Sequence, residues 1–86
     1  MTEVKNLKEL RPIVDDTLKI HFGDKVRNII IINVNQVTGD AEYEDGWLVT
    51  AEVEYEKEVY TITMHVRMSD GVVIRSDVTE RRHLEK

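Results

Sequence analysis

From Glu42 to Val73 the chain reads "EYEDGWLVTAEVEYEKEVYTITMHVRMSDGVV", with apolar and polar residues alternating at a period of two. Successive side chains of a strand point to opposite faces, so this period marks strands with one face on a core and the other in water. The pattern is broken at Asp45–Gly46 and Asp70–Gly71, and Asp-Gly is a strong short-range hairpin signal. Parallel strands need a crossover of a dozen or more residues, for which these breaks leave no room. The stretch therefore predicts an antiparallel meander.

The turns set a register. "SDG" at 69–71 suits a three-residue loop, a type I turn closed by glycine in the left-handed region. It pairs Met68 with Val72, Val66 with Ile74, Met64 with Ser76 and Ile62 with Val78, so apolar faces meet. A slip of one residue would turn every side chain to the wrong face. "EDG" at 44–46 repeats the logic and pairs Tyr43 with Trp47. The turn at 56–59 has no glycine, and pairing Tyr55 with Tyr60 keeps the faces matched. Strands are thus expected at about 29–43, 47–56, 59–68 and 72–81. Val72, Ile74, Ser76 and Val78 point inward in the last, and a frayed tail follows at 82–86.

Ahead of the sheet, Val4, Leu7, Leu10, Val14, Leu18 and Phe22 recur at three- and four-residue steps, the spacing of an apolar helical stripe. A helix over 4–22 follows, with Gly23 as its cap. Pro12 removes a donor and clashes with the preceding turn, which leaves one kinked helix or two shorter pieces. The expectation is an α+β fold, one domain over residues 1–86. Its N-terminal helix packs on one face of a four-stranded antiparallel β-meander, on Trp47, Val49, Val53, Ile62, Met64, Val66 and Ile74. The opposite face is polar and wet.

The first strand contains four consecutive isoleucines, residues 29–32, which put two on each face. Its phase changes along its length, for which a bulge near Thr38–Asp40 or Asn35–Gln36 would account. Ile30 and Ile32 share a parity with Val34. Ile29 and Ile31 are left to be covered by the helix end, the tail or another chain. At a sheet edge, such a strand offers strand addition and a homodimer through residues 29–32.

Composition narrows function. The 86 residues include no cysteine, which rules out disulfides, thiolate nucleophiles and cysteine-ligated metal. Residues 38–58 carry eight acidic and one basic side chain, giving −7 within a total of −5. An acidic middle repels phosphate, so no nucleic acid is expected as partner, and a basic protein surface suits it better. The first residues lack the apolar run of a secretory signal, and the longest apolar run is far too short for membrane insertion. A cytoplasmic location is the expectation.

Glu52, Glu54 and Glu56 stack on one strand face. Paired carboxylates can bind a cation or do acid–base work, but the latter needs one of them in an apolar pocket, and these are expected on the open face. The register sets Glu52 opposite Thr63 and next to Asp77, and Glu54 opposite Thr61. His65 is expected beside Thr50 and Arg75. His21, His65 and His83 lack metal-ligand spacing. No P-loop, dinucleotide fingerprint or nucleophile elbow occurs, so no cofactor, metal or catalytic residue is expected. Trp47 reads as a core plug near Tyr43, Met68 and Val72. The candidate interaction surface is Glu52, Glu54, Glu56, Asp77, Ile29 and Ile31.

One resemblance bears on function. Asp45, Gly46, Trp47, Val49, Glu52, Val53 and Glu54 form an acidic-Gly-Trp turn followed by a strand with spaced valines and glutamates. With Tyr60, Asp70, Gly71 and the Arg81–Arg82 pair, the pattern over about residues 8–82 resembles the gas vesicle accessory proteins of the O type. Where that family carries an Arg-Ile-Pro segment, this chain has the tight "EKEVY" turn. The resemblance implies a cytoplasmic, non-enzymatic assembly factor whose partners are other gas vesicle proteins. The residues alone leave two other readings open. One is a small-ligand or ion-binding module on the open face around Glu52, Glu54, His65 and Asp77; the other is an enzyme subunit whose chemistry resides in a partner.

Overall fold

A computed structural model describes residues 7–39 and 45–83. Helix α1, Leu7–Phe22, leads into strands β1 (Arg27–Val37), β2 (Gly46–Tyr55), β3 (Glu58–Arg67) and β4 (Val73–His83). All neighbours are antiparallel and the sheet order is β1-β2-β3-β4. The α+β meander that the alternation predicts is the observed fold.

Leu10, Val14 and Leu18 recur every four residues and so line one helix face, where all three are fully buried. They meet Val49, Ala51 and Val53 of β2 and Ile62, Met64 and Val66 of β3. At the end of the helix Phe22 packs on Tyr55 and Tyr60, with ring centroids 5.3 and 5.2 Å away, and closes the core there. The Tyr60 hydroxyl donates to Glu58 (2.8 Å), and this bond to a carboxylate raises its pKa. The helix runs unbroken through Pro12, not as two pieces. Residues 4–6, its expected first turn, lie outside the described residues. Gly23 caps it as expected: its φ is +88° and its N–H donates to the Lys19 carbonyl at 2.8 Å.

The strands depart from the expected register along both outer strands and at the β2–β3 hairpin. In β1 the phase changes at Ile32, between the pairs Ile31–Ala51 and Asn33–Thr50, and not at 35–36 or 38–40. A second irregularity surrounds Asn28, whose φ is +50°. β1 also ends at Val37, so Trp47 pairs with Gln36; Tyr43, its expected partner, lies outside the described residues. Trp47 is only partly buried, against the edge of the core.

The β2–β3 hairpin closes with Tyr55 opposite Glu58, not Tyr60, through a two-residue loop. Glu56 and Lys57 both have positive φ, +48° and +67°, the twist that suits a two-residue hairpin. Neither residue type signals it, and left-handed backbone costs such residues about 1–2 kcal/mol each.

At the last turn the loop is one residue longer than expected. Arg67 N–H donates to the Val72 carbonyl and Gly71 N–H to the Arg67 carbonyl, both at 2.8 Å, with Gly71 at φ +74°. Val66 then pairs with Val73, and a bulge at Ile74 restores the expected pairs Met64–Ser76 and Ile62–Val78. Val72 and Ile74 are therefore not core residues; each is 42% exposed. Val78 does pair with Ile62, but no helix covers it and it is 56% exposed. Arg82 and His83, expected to fray, pair with Val59 and Glu58; residues 84–86 lie outside the described residues.

Asp70 organises the last turn. Its carboxylate accepts both Nε (2.8 Å) and Nη2 of Arg67 and the Val72 N–H (3.1 Å). The Arg67 guanidinium holds the carboxyl below its ordinary pKa, against a smaller opposing effect of burial. A depressed folded-state pKa adds stability above the unfolded value of about 3.9, and that stability is lost as pH falls through the folded value. Asp70→Asn should lower the melting temperature at pH 7, and the gap from the parent should close as pH drops below about 3.9. A gap that stays constant down to acid pH would show that the charge does not contribute.

Candidate functional site

The outer sheet face, away from α1, carries most of the residues singled out above. Its polar rows follow from the pleat: Asn35–Leu48–His65–Arg75, Asn33–Thr50–Thr63–Asp77, Ile30–Glu52–Thr61–Glu80 and Arg27–Glu54–Val59–Arg82. The two-residue hairpin moves β3 by two places against β2. Glu52 thus sits opposite Thr61 rather than Thr63, and Glu54 opposite Val59 rather than Thr61. Asp77 shares its row with Thr50, so the expected cluster of Glu52, Glu54 and Asp77 does not form. His65 lies between Leu48 and Arg75, with Thr50 one row away.

Each acid has a local partner instead. Arg82 Nη2 donates to Glu52 Oε2 at 2.8 Å, Asn28 Nδ2 to Glu54 Oε2 at 2.6 Å, and Arg75 Nε to Asp77 Oδ2 at 2.8 Å. Glu56 stands exposed in the hairpin loop. These pairs are solvent-screened and contribute little each. They convert an acidic row into alternating charge. Among the described residues, no group of three or more His, Cys, Asp or Glu side chains could hold a metal ion.

Apolar side chains on the same face are the feature that residue types concealed. The Ile32 bulge turns Ile29 and Ile31 inward, where both pack against the core, contrary to their expected place on an interaction surface. Ile30 and Ile32 are the exposed pair, each 54% accessible, and Leu48 joins them at 37%. Val59 also points outward by parity, yet it is 8% exposed in a row with Glu54 and Arg82. Aliphatic stems of long charged residues commonly cover such a position.

Two depressions mark the face and its rim. One of about 330 Å³ is lined by Val37, Leu48, Thr63, His65, Arg75 and Asp77. The other, about 360 Å³, lies among Lys25, Arg27, Glu54, Glu56 and Lys57. Neither encloses a carboxylate in an apolar pocket, the environment that acid–base catalysis by Glu or Asp requires.

No family model, curated protein or solved structure matches this chain. Among the described residues, no helix is long and apolar enough to cross a membrane.

Proposed function

We propose that this chain is a non-catalytic protein that acts by protein–protein contact through its outer sheet face, as an accessory factor in gas vesicle assembly. The assembly role rests on the resemblance carried by Asp45, Gly46, Trp47, Val49, Glu52, Val53 and Glu54. The contact role rests on one observation: Ile30, Ile32 and Leu48 are exposed on a face whose other exposed side chains are mainly polar, with Glu52 and Asp77 held in ion pairs by Arg82 and Arg75. Apolar groups within a polar, charged surround have the composition of a docking surface, where burial supplies affinity and charge supplies register. The depression over Leu48 and His65 supports a small-ligand module less well, because it is shallow and Arg75 and Asp77 in its lining already pair with each other.

Binding should be measured between the purified chain and the purified vesicle shell and accessory proteins of its own host. The parent is expected to bind at least one of them. Ile30→Lys with Ile32→Lys, and separately Glu52→Lys with Glu54→Lys, should each weaken that binding at least about tenfold with an unchanged circular dichroism spectrum. Binding that survives both double substitutions removes the outer face as the contact surface. A parent that binds none of these proteins removes the gas vesicle assignment.

A further inference from the structure

We propose that two copies of this chain associate through β4, edge to edge and antiparallel about a two-fold axis at Ser76, to make one continuous eight-stranded sheet.

β4 is an outer strand of the sheet. Its free side follows from the hydrogen bonds of β3. Arg67 bonds across to Val72, so the alternation of an antiparallel ladder directs residues 65, 63 and 61 toward β4 and residues 66, 64 and 62 toward β2. Ser76 and Val78 stand opposite Met64 and Ile62. Their own N–H and C=O groups therefore point away from the sheet and are available to another strand.

Charge selects both the partner and the register. With Ser76 opposite Ser76 of a second copy, Arg75 of each copy faces Asp77 of the other, twice over by symmetry. Moving the pairing two residues one way sets Asp77 against Asp77, and two residues the other way sets Arg75 against Arg75. A shift of one residue would put outer-face groups on the helix side. Like charges directly opposite are destabilising, so only the Ser76-centred register is favourable among its neighbours. The same register places Ile74 opposite Val78, two apolar side chains that are 42% and 56% exposed in the single chain. Their mutual burial supplies the driving force, while the exposed Arg75 and Asp77 (70% and 54%), which pair with each other within the single chain, exchange that contact for the facing residues of the second copy and fix the alignment.

The opposite edge is less suited. Both outer strands carry irregularities, β1 at Asn28 and Ile32 and β4 at Ile74 and Thr79, but on β1 Arg11 Nη2 also reaches across from α1 to cover the Ile29 carbonyl at 2.9 Å. A covering group of this kind keeps an edge from pairing.

Light scattering after size exclusion, over micromolar to millimolar protein, tests the assembly. The parent should form a concentration-dependent dimer. Arg75→Asp and Asp77→Arg alone each place like charges opposite one another and should weaken the dimer about tenfold or more. The double substitution Arg75→Asp with Asp77→Arg restores opposite charges in every pair and should dimerise nearly as the parent does. Both side chains are exposed, so circular dichroism of the single variants should match the parent. A parent that stays monomeric throughout overturns the proposal, as do single variants that dimerise unchanged. A dimer that withstands both single substitutions but is lost in Ile32→Lys would place the interface on β1 instead.

Discussion

Leu18→Ala should cost about 2–5 kcal/mol, the range for truncating a fully buried leucine. Leu18 is fully buried and belongs to the helix stripe that meets β2 and β3. The sixteen residues of α1 include a proline, and a helix of that length is marginal in water even without one. Packing on the sheet therefore holds α1 in place, and removing the contact loosens the whole element. Total stability for a domain of this size is about 4–13 kcal/mol, so the substitution takes a large share of it. Ile20 is the matched control. It lies two residues on, 200° around the helix, and is 83% exposed; Ile20→Ala should change stability by no more than about 0.5 kcal/mol. Urea titrations followed by Trp47 fluorescence give both values. A loss below about 1 kcal/mol for Leu18→Ala would mean that α1 is not anchored on this face.

That contrast shows why the helix and sheet faces were legible in the sequence. Helical and strand periods sort side chains by face regardless of where an element starts, so Leu10, Val14, Leu18, Val49, Val53, Ile62 and Met64 were placed in the core from spacing alone. The β2–β3 register lies two residues from the expected one, and the faces survive because a shift of two preserves parity. Shifts of one are different. They occur at bulges, and the isoleucine run carries no phase information: four identical side chains look alike wherever the extra residue falls. The bulge at Ile32 therefore exchanged the inward and outward pairs. At the other edge the extra residue in the loop before Val72 displaces Val72 and Ile74 from the core, although Gly71 takes the positive φ expected of it.

The candidate surface suffered more, because it depends on pairs rather than faces. Glu52 and Asp77 fell on the outer face as expected, but which arginine each meets is set by register. Arg82 lies in a segment whose sequence predicts a frayed tail, and no residue type signals that its guanidinium sits 2.8 Å from the Glu52 carboxylate. The Glu56–Lys57 turn was obscured for a related reason. Positive φ at both positions is ordinarily supplied by Asn or Gly, so the loop read as longer than it is.

Gly46→Ala should also be costly, for a reason different from that of the other Asp-Gly pair. Gly71 needs positive φ to close its turn, whereas Gly46 is a strand residue without it, paired with Val37 and Arg67. What Gly46 provides is room. A Cβ there would lie 2.5 Å from the Val66 carbonyl oxygen and 2.7 and 2.9 Å from Nε2 and Cδ2 of the His65 ring. The imidazole can swing aside, but the carbonyl belongs to β3 beside a fully buried core valine and cannot retreat without disturbing the pair Trp47–Val66. Overpacking of this kind costs about 1–3 kcal/mol, or roughly 5–20 °C in melting temperature for a domain of this size. The two clashes separate in a double-mutant cycle with His65→Ala. If the backbone contact dominates, Gly46→Ala should cost nearly as much in the His65→Ala background as in the parent. Should most of the cost vanish there, the histidine ring and not the β3 backbone would be what requires glycine at the start of β2.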